Sequence, residues 1–564
     1  MLSAEDVIVA QIPLVVGGIE TNLNNIIETI QETDNAGNAK LIVFPEMTIT
    51  GYPLEDLADN KDIRSAASQA IRRIHRLYQE NELKTPSIVG GLHVVQMLNG
   101  VEAAVNAAFF FQANGNYEIF VKNNLPNTGV FDEERNFISS QETPQHKGPF
   151  APTIEIDGSK VGVMICHDMW EPAAWPFNSF TPDSVDLTVV INGSPYEFNK
   201  QNKRLELARQ LAEQSHAPVL YVNRVGGQDE IIFDGQSFYI DTTGSAVQFP
   251  AFVKTIAAVS EMQKGISAWG TADPSAQYPE TPEQYSELWD ALVIGLRDYT
   301  LSCGFKKIVI GVSGGIDSAL IGALAAEAVG GKNIIAISMP SPYSSQGSLD
   351  DAEALAMRHG MDYRVMPITP MMETFNNDVY KLSGVPAENL QSRLRGLILM
   401  SISNQESALT LACGNKTELS VGYSTIYGDS VGGYAPIRDL PKTTVWGLAR
   451  WRNELAVTEG KAVVIPENSI EKPASAELAP GQVDENELPP YEVLDDMLDM
   501  YIRQGLTYWT IANKHGQERA NWLMRAVKNA EWKRRQYPIG LKVTALSFGK
   551  ERRMPIMNSW KNQR

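Results

Sequence analysis

Short apolar runs recur along the first half of the chain, and polar or turn-forming residues bound each of them. Such runs predict buried strands, because helices require longer periodic patterns. Helical patterns separate the runs, and strands that alternate with helices are typical of α/β folds. The apolar runs span residues 7–12, 41–44, 88–92, 107–111, 161–165, 187–191 and 219–222.

The alternation of strands and helices stops over residues 262–284 and then restarts. This stretch mixes Gly, Pro, Ser, Gln and Glu with little periodicity, and it predicts a linker. Beyond the linker, the pattern predicts a helix over residues 288–299 and strands over residues 308–312 and 334–338. Both halves of the chain therefore have the pattern of an α/β fold.

At 564 residues the chain is longer than one hydrophobic core supports. We expect two α/β domains, residues 1–261 and 285–564, on either side of the linker. The acidic, proline-rich stretch over residues 479–490 predicts an exposed loop in the second domain.

The chain contains three cysteines, Cys166, Cys303 and Cys413. Three cysteines cannot build a disulfide framework, so a reducing, cytoplasmic location is the simplest interpretation. Their spacings are not those of a metal site. Cys303 has no charged partner suggested by the sequence, and we interpret it as structural.

The formal net charge of −19 argues against a nucleic-acid-binding surface, because neutralising phosphates requires a basic stripe. The apolar runs are far shorter than the roughly 20 residues of a membrane-spanning helix, so we expect no membrane partner. An anionic substrate gains nothing from the overall field of such a protein. Any phosphate site must be built locally, from backbone amides and a few placed cations.

Residues 311–318 read G-V-S-G-G-I-D-S, between an apolar run and a helical pattern. Gly311, Gly314 and Gly315 let backbone N–H groups approach an anion, and the start of the helix adds its positive dipole end. No Lys-Ser/Thr pair follows the glycines, which excludes the phosphate loop of kinases and GTPases. The alternative is a plain turn between strand and helix, but the complete string in this context favours a phosphate site.

This octapeptide resembles the PP-loop of ATP pyrophosphatases, in which a nucleophile attacks the α-phosphorus of ATP. The resemblance implies that Asp317 supplies an oxygen ligand to Mg²⁺, a hard cation that prefers such ligands. It also implies that ATP contacts the whole loop: Gly311, Val312, Ser313, Gly314, Gly315, Ile316, Asp317 and Ser318.

Three reactive side chains each follow an apolar strand of the first half: Glu46, Lys122 and Cys166. A free cysteine alone is more often a small buried hydrophobic residue than a nucleophile. Its two companions change that balance, because a thiol nucleophile needs a base to remove its proton and a cation to stabilise the oxyanion that it creates.

The segments around these residues are F-P-E-M, K-N-N-L-P-N-T-G-V-F-D-E-E-R and G-V-M-I-C-H-D-M-W. They resemble the Glu, Lys and Cys motifs of the nitrilase superfamily, over about residues 5–260. The resemblance implies an α-β-β-α sandwich in which Glu46 is the general base. It further implies that Lys122 stabilises the tetrahedral intermediate and that Cys166 forms a thioester.

The stretch N-G-S-P with the following Lys200 resembles the glutamine-binding segment of this superfamily. The resemblance implies that Ser194 and Lys200 contact glutamine, together with Thr128, at whose position the family often has tyrosine. For Thr128 and Lys200 the alternative is an ordinary exposed loop residue.

The second half resembles the synthetase domain of the glutamine-dependent NAD⁺ synthetase family, over nearly its whole length. The segments that carry this resemblance are residues 388–395, 412–419 and 422–429. It implies a Rossmann-like parallel sheet that holds the PP-loop. The implied contacts are Cys413 with ATP, Asn389, Glu418 and Lys533 with deamido-NAD, Glu418 also with the metal, and Lys442 with the phosphates of the transition state.

Alternatives remain for individual residues of this set. Cys413 stands where the family commonly has threonine. Glu418 could be a carboxylate on a helix surface, and Lys533 could belong to a solvated cluster of charges.

Together the two resemblances imply hydrolysis of glutamine and ATP-dependent amidation of deamido-NAD through an adenylate, with AMP, pyrophosphate and glutamate as further products. We expect a homo-oligomer that takes only small-molecule substrates. A second hypothesis is another PP-loop glutamine amidotransferase of the GMP synthetase type, whose glutaminase uses a Cys-His-Glu triad instead. A third is a nitrilase-like binding module fused to a degenerate nucleotide sensor.

Overall fold

The computed structural model describes residues 2–37, 39–144, 150–263 and 278–559. The chain forms two compact units, Met1–Gln228 with Ile232–Ser275 and Asp229–Ile231 with Ala276–Arg564. Most of the predicted linker, residues 264–277, lies outside the described residues. The domain bounds drawn from the sequence therefore stay a prediction.

The first fourteen strands and first three helices cover the amino-terminal half of the described chain. The strands are β1 (Val7–Gln11), β2 (Leu41–Val43), β3 (Ser87–Gln96), β4 (Glu102–Phe111), β5 (Tyr117–Val121), β6 (Thr153–Ile156), β7 (Ser159–Ile165), β8 (Leu187–Asn192), β9 (Val219–Asn223), β10 (Val225–Gln228), β11 (Ile231–Asp234), β12 (Phe238–Ile240), β13 (Ala246–Gln248) and β14 (Thr255–Ala258). The helices are α1 (Ile19–Ala36), α2 (Lys61–Gln79) and α3 (Lys200–Ser215).

Two six-stranded sheets form the first unit, with strand orders β14-β1-β2-β3-β4-β5 and β13-β12-β9-β8-β7-β6. Successive side chains of a strand point to opposite faces, so each sheet presents two apolar surfaces. Val163 and Ile165 of β7 belong to a core that both sheets share. Met164, between them, packs in a second core that includes residues of α3.

The outer face of the first sheet carries the other two helices. Tyr78 of α2 stacks on Phe111 of β4 with 5.7 Å between ring centroids, and α1 packs against α2. The order of layers is therefore helix, sheet, sheet, helix, which confirms the α-β-β-α sandwich.

The second unit contains four strands and twelve helices in its described residues. The strands are β15 (Ile308–Gly311), β16 (Ile334–Ser338), β17 (Asp362–Val365) and β18 (Leu409–Leu411). The helices are α4 (Pro282–Ser302), α5 (Ile316–Val329), α6 (Gln346–His359), α7 (Thr369–Thr374), α8 (Val385–Glu406), α9 (Lys416–Val421), α10 (Lys442–Thr458), α11 (Glu467–Glu471), α12 (Tyr491–Leu498), α13 (Tyr508–His515), α14 (Gln517–Asn529) and α15 (Glu531–Arg534).

These strands form one parallel sheet in the order β17-β16-β15-β18. Helix α5 follows β15 and is apolar on nearly all sides, as expected for a helix enclosed by its neighbours α4, α6 and α10. Leu399 of α8 joins Val309 and Ile335 of the sheet in a separate core. A parallel sheet with helices on both faces confirms the Rossmann-like architecture.

The strands predicted from apolar runs all coincide with observed strands, and the helix predicted over residues 288–299 lies within α4. Eight strands of only three or four residues were not predicted, because patterns this short do not stand out: β6, β10, β11, β12, β13, β14, β17 and β18. Among the described helices, none has the length and apolar character that crossing a bilayer requires.

Two candidate active sites

The structure brings Glu46, Lys122 and Cys166 together in the first unit. They follow β2, β5 and β7, and the Lys122 ammonium donates to Glu46 Oε1 at 2.8 Å. The Glu46 side chain is also close enough to the Cys166 thiol to raise the pKa of that thiol. Glu46 and Lys122 have no exposed surface, and Cys166 is 6% exposed. The three side chains therefore belong to one buried cluster.

Neighbouring groups fix the orientation of the Glu46 carboxylate. Asn106 Nδ2 donates to Oε1 at 2.7 Å, and the backbone N–H of Gly193 donates to Oε2 at 2.7 Å. Strand β3 passes so close that a Cβ atom at Gly90 would lie 2.4 Å from the Pro45 carbonyl oxygen. The two hydrogen bonds and the close approach of β3 therefore restrict the Glu46 side chain to few rotamers.

A second carboxylate, Glu133, completes this cluster, although it was not among the residues predicted from the sequence. The Lys122 ammonium donates to Glu133 Oε1 at 2.9 Å, and the Tyr52 hydroxyl donates to the same oxygen at 2.6 Å. Glu133 is 4% exposed, whereas the adjacent Glu134 is exposed. The only signal in the sequence was the position of Glu133 inside the Lys122 segment, which does not distinguish it from Glu134.

The charges of this cluster favour a protonated thiol and a charged lysine. Burial raises the pKa of Cys166 well above its usual value, and the Glu46 carboxylate raises it further, against the opposing effect of Lys122. Burial by itself would lower the pKa of Lys122, but the charges of Glu133 and Glu46 outweigh burial and raise it. A nucleophilic Cys166 must therefore give up its proton during the reaction, and Glu46 is placed to accept it.

The Cys166 backbone has φ +46°, in the left-handed region that residues with a side chain seldom adopt. Cys166 opens the 3₁₀ turn Cys166–Trp170 directly after β7. Such strained positions persist only where the surrounding structure enforces them, and they are concentrated at functional sites.

The three residues implied to bind glutamine lie in different environments. Ser194 is buried, and Arg204 Nε donates to its hydroxyl at 3.2 Å while Arg204 itself pairs with Asp234 at 2.7 Å. Lys200 begins α3, with its ammonium 5.7 Å from the centroid of the Trp170 ring in the cysteine turn. Thr128 is exposed on the loop between Lys122 and Glu133. Their contacts with glutamine stay predictions.

The second site is built around the turn between β15 and α5. Gly314 has φ +77°, and a Cβ atom there would lie 2.2 Å from the Ser348 carbonyl oxygen, so this position requires glycine. The Ser318 hydroxyl accepts from the Ser313 N–H at 3.2 Å and donates to the Gly315 carbonyl at 3.0 Å. These bonds hold a tight loop at the start of the 14-residue helix α5. A loop at the amino-terminal end of a helix is suited to binding a phosphate, because its backbone N–H groups and the helix dipole favour an anion.

Lys442 joins the two carboxylates that were predicted to bind metal. Its ammonium donates to Asp317 Oδ2 and to Glu418 Oε1, the latter at 3.4 Å. Asn415 Nδ2 donates to the other oxygen of Asp317 at 2.9 Å. The side chain of Glu418 is only 17% exposed, which contradicts the alternative that it is a carboxylate on a helix surface.

The proximity of these carboxylates changes their titration. Burial and the negative charge of Asp317 together raise the pKa of Glu418 to about 8, although Lys442 opposes them. Burial alone would lower the pKa of Lys442, but Asp317 and Glu418 raise it above its usual value. Two like charges that converge on one cation form a site that a divalent ion would also fit.

No group of three or more His, Cys, Asp or Glu side chains in the described parts of the chain could hold a metal ion. A cation bound by Asp317 and Glu418 would therefore take its other ligands from phosphate and water. Mg²⁺ has this preference, since it usually keeps several waters and binds one or two carboxylates with substrate phosphates.

The stretch over residues 479–490, predicted to be an exposed loop, is partly buried. Asp484 is 5% exposed and accepts from the Tyr491 hydroxyl at 2.9 Å. Tyr491 in turn lies against the Lys442 ammonium, 5.4 Å from ring centroid to Nζ, and Trp446 lies at 5.6 Å. The loop therefore contributes to the surroundings of Lys442.

The remaining predicted residues of the second unit are held by local contacts. Asn389 Oδ1 accepts from the Thr425 hydroxyl at 2.8 Å. The Lys533 ammonium donates to the carbonyls of Gly422 at 2.7 Å and Ser424 at 2.6 Å, so it does not belong to a solvated charge cluster. Burial raises the pKa of Cys413, so its thiol stays protonated. Their contacts with ATP and deamido-NAD stay predictions.

Comparison with known protein families assigns each unit separately. The carbon-nitrogen hydrolase family matches residues 7–268, and the NAD synthase family matches residues 288–537. The two matches adjoin the linker predicted from the sequence.

Curated relatives match the chain over nearly its whole length. The glutamine-dependent NAD(+) synthetase of Thermotoga maritima is 35% identical, over 98% of this chain and 99% of its own. That of Acinetobacter baylyi is 37% identical, over 97% of each chain.

Two solved structures extend the likeness to three dimensions. A glutamine-dependent NAD+ synthetase from Acinetobacter baumannii, in complex with ADP, is 35% identical, with a TM-score of 0.71 and 99% coverage of both chains. One from Cytophaga hutchinsonii has a TM-score of 0.78 over 98% of this chain and 97% of its own, and at 20% identity it shows the fold alone.

Replacing Glu133 with Gln should destabilise the first unit, because it removes one of the two charges that compensate the buried Lys122 ammonium. We expect a loss of about 3 kcal/mol in the free energy of unfolding, measured by chemical denaturation. Glu134→Gln is the matched control, since that neighbour is exposed, and it should change stability little. Equal effects of the two substitutions would contradict the role given to Glu133.

Replacing Gly314 with Ala should weaken nucleotide binding, because the new Cβ would collide with the Ser348 carbonyl and the positive φ would strain the loop. We expect ATP affinity, measured by calorimetry, to fall by more than about tenfold. Gly360→Ala is the control, because φ is +65° there and no atom lies within 4 Å of the added carbon. Unchanged affinity in the Gly314 variant would exclude this loop from the nucleotide site.

Proposed function

Because the chain belongs to the family of glutamine-dependent NAD(+) synthetases, we propose that it hydrolyses glutamine in its first unit and amidates deamido-NAD with ATP in its second. The single observation that carries this proposal is that both reactive clusters are complete in one chain. The buried Glu46–Lys122–Cys166 set is suited to acyl transfer, and the glycine turn with Asp317, Glu418 and Lys442 is suited to phosphoryl chemistry.

The glutaminase reaction follows from the geometry of the first cluster. Glu46 takes the Cys166 proton as the sulfur attacks the side-chain amide carbon of glutamine, and the carbonyl oxygen becomes an oxyanion. Lys122 stabilises that negative charge. When the intermediate collapses, Glu46 returns the proton to the leaving nitrogen, and ammonia departs from a thioester.

Hydrolysis of the thioester uses the same base a second time. Glu46 removes a proton from water as the water oxygen attacks the thioester carbon, and Lys122 again faces the oxyanion. The carbon–sulfur bond then breaks, the proton returns to Cys166, and glutamate leaves. Because Lys122 stays charged throughout, it can stabilise both oxyanions without changing its own protonation.

The synthetase reaction belongs to the second unit. The loop around Gly314 and the start of α5 hold the phosphates of ATP, and a carboxylate oxygen of deamido-NAD attacks the α-phosphorus. The bond between the α-phosphorus and the oxygen that bridges it to the β-phosphorus breaks. Pyrophosphate departs, and the acyl adenylate of deamido-NAD remains. Ammonia then attacks the acyl carbon, and AMP departs to leave the amide.

The residues around Lys442 supply the electrostatics of this step. Asp317 and Glu418 would hold Mg²⁺, which when bound would neutralise part of the phosphate charge. Lys442 is a fixed cation beside them and would stabilise charge that develops as pyrophosphate leaves. Asn415 keeps Asp317 oriented, because it donates to the oxygen that Lys442 does not use.

The alternative amidotransferase of the GMP synthetase type receives no support. Such a glutaminase would need a histidine as the base for its cysteine, whereas the charged groups that act on the Cys166 thiol are the carboxylates of Glu46 and Glu133 and the ammonium of Lys122. Full-length relatives at 34–37% identity share one name, which is not that of the alternative. A degenerate sensor would not explain two complete reactive clusters.

Several finer statements rest on the family and stay predictions for this chain. They are the use of Mg²⁺, the homo-oligomeric state, the cytoplasmic location and the absence of nucleic-acid and membrane partners.

Replacing Cys166 with Ala should abolish synthesis from glutamine and leave synthesis from ammonia intact, because only the thioester step requires the sulfur. We expect NAD formation from glutamine to fall more than about a thousandfold, measured by mass spectrometry, and formation from ammonium chloride to stay within about twofold. Cys303→Ala, at an exposed cysteine, is the control and should change neither rate. Glutamine-dependent synthesis in the Cys166 variant would remove this thiol from the mechanism.

Replacing Asp317 with Asn should have the complementary effect. Loss of the carboxylate should slow synthesis from either nitrogen source by about a hundredfold, while release of glutamate from glutamine persists. Glu327→Gln lies on the same helix α5, pairs with Arg452 near the surface, and should leave both activities unchanged. Normal ammonia-dependent synthesis in the Asp317 variant would refute the assignment of the second site.

A further inference from the structure

Asp168 is a buried carboxylate two residues beyond Cys166, and no step of the mechanism above uses it. It is 2% exposed and accepts three backbone hydrogen bonds. Oδ1 accepts from the N–H of Asn123 at 3.1 Å and from the N–H of Asn124 at 2.8 Å. Oδ2 accepts from the N–H of Ile165 at 3.2 Å.

These bonds divide between the two segments that present reactive groups. Asn123 and Asn124 directly follow Lys122, at the end of β5, and Ile165 directly precedes Cys166, at the end of β7. Strand β5 is an edge strand of one sheet and β7 belongs to the other. No ladder of strand hydrogen bonds therefore sets the separation of their ends. The Asp168 side chain connects the two strand ends, because Oδ1 accepts from the segment after Lys122 and Oδ2 accepts from the segment before Cys166.

A second link joins the same loops and limits their movement. The side-chain amides of Asn123 and Asn124 both donate to the Trp175 carbonyl at 3.0 Å. This link ends at Trp175, nine residues after Cys166, whereas Asp168 bonds to Ile165, the residue directly before Cys166. The position of the sulfur relative to the ammonium thus depends more directly on Asp168.

We propose that Asp168 is a positioning residue of the glutaminase site, which holds the Lys122 ammonium at its working distance from the Cys166 sulfur. The proposal rests on the function proposed above for Cys166. It also explains why a carboxylate occupies this buried position, although burial raises the pKa of Asp168 to about 7. Two equivalent oxygens can serve both segments at once, whereas an amide has one acceptor oxygen and one donor nitrogen.

The test is Asp168→Asn, which keeps size and shape but can accept from only one of the two segments. We expect kcat for glutamine hydrolysis to fall between about tenfold and a hundredfold, since misplacement of a catalytic group by about 1 Å has this effect. KM should stay within about threefold, because Asp168 bonds to the backbone rather than to glutamine. Ammonia-dependent synthesis should stay within about twofold, since it uses the other unit.

Hydrogen exchange supplies a readout of position that does not depend on activity. In the variant, exchange should accelerate at the amides of Asn123 and Asn124 or at that of Ile165, and stay slow elsewhere in the sheets. Asp186→Asn is the matched control. Asp186 also accepts a backbone N–H, that of Lys160 at 2.8 Å, near the opposite end of the same strand β7. It should change neither kcat nor exchange near Cys166.

Each other outcome overturns the proposal. An unchanged kcat would show that the sulfur and ammonium do not need this link, and a raised KM with unchanged kcat would assign Asp168 to substrate binding. Accelerated exchange throughout the first unit, with loss of its folded state, would make Asp168 a residue of general stability. Cys166→Ala is assayed in parallel to separate failure of the Asp168 proposal from failure of the proposed function. Glutamine turnover in the Cys166 variant would refute the proposed function itself.

Discussion

A lysine removed from water must be surrounded by negative charge, and both sites of this protein are arranged around that constraint. Moving an ammonium ion into a protein interior costs several kcal/mol unless carboxylates compensate it. In the first unit Lys122 lies between Glu46 and Glu133, and in the second Lys442 lies between Asp317 and Glu418. Each lysine therefore fixes two acids as well as itself, and the same charges serve both folding and chemistry.

The two clusters differ in how completely protein groups surround their carboxylates. In the first, Asn106, the Gly193 amide and Tyr52 occupy further positions on the carboxylates, so the cluster is closed around its thiol. In the second, the side chains of Asp317 and Glu418 keep some exposed surface, 18% and 17%. A closed cluster suits a reaction whose charges stay within the protein. A partly open one suits a reaction in which highly charged phosphates enter and leave.

The sequence predicted most of the fold and the residues at the ends of strands, because strand ends carry a local signal. An apolar run that stops at Glu46, Lys122 or Cys166 marks both the strand and the reactive residue. The sequence could not separate Glu133 from Glu134, since both lie in one polar loop and only the path of the chain turns Glu133 inward.

Local composition is also a poor guide to where single polar side chains lie. The stretch over residues 479–490 has the composition of a solvated loop, yet the Tyr491 hydroxyl holds Asp484 inside. The basic run at Lys533 has the composition of a solvated charge cluster, yet two backbone carbonyls hold its ammonium. Composition reports an average preference, whereas partners distant in sequence decide where a single polar side chain lies.

The burial of Cys166 also affects how the protein withstands oxidants. Peroxides attack the thiolate rather than the thiol, and the susceptibility of a cysteine follows its thiolate fraction and its exposure. Burial and the Glu46 charge keep this sulfur protonated, and only 6% of the residue is exposed. In the proposed mechanism the sulfur loses its proton to Glu46 only as it attacks the substrate. Between turnovers, the resting protein should therefore resist conversion of Cys166 to its sulfenic acid.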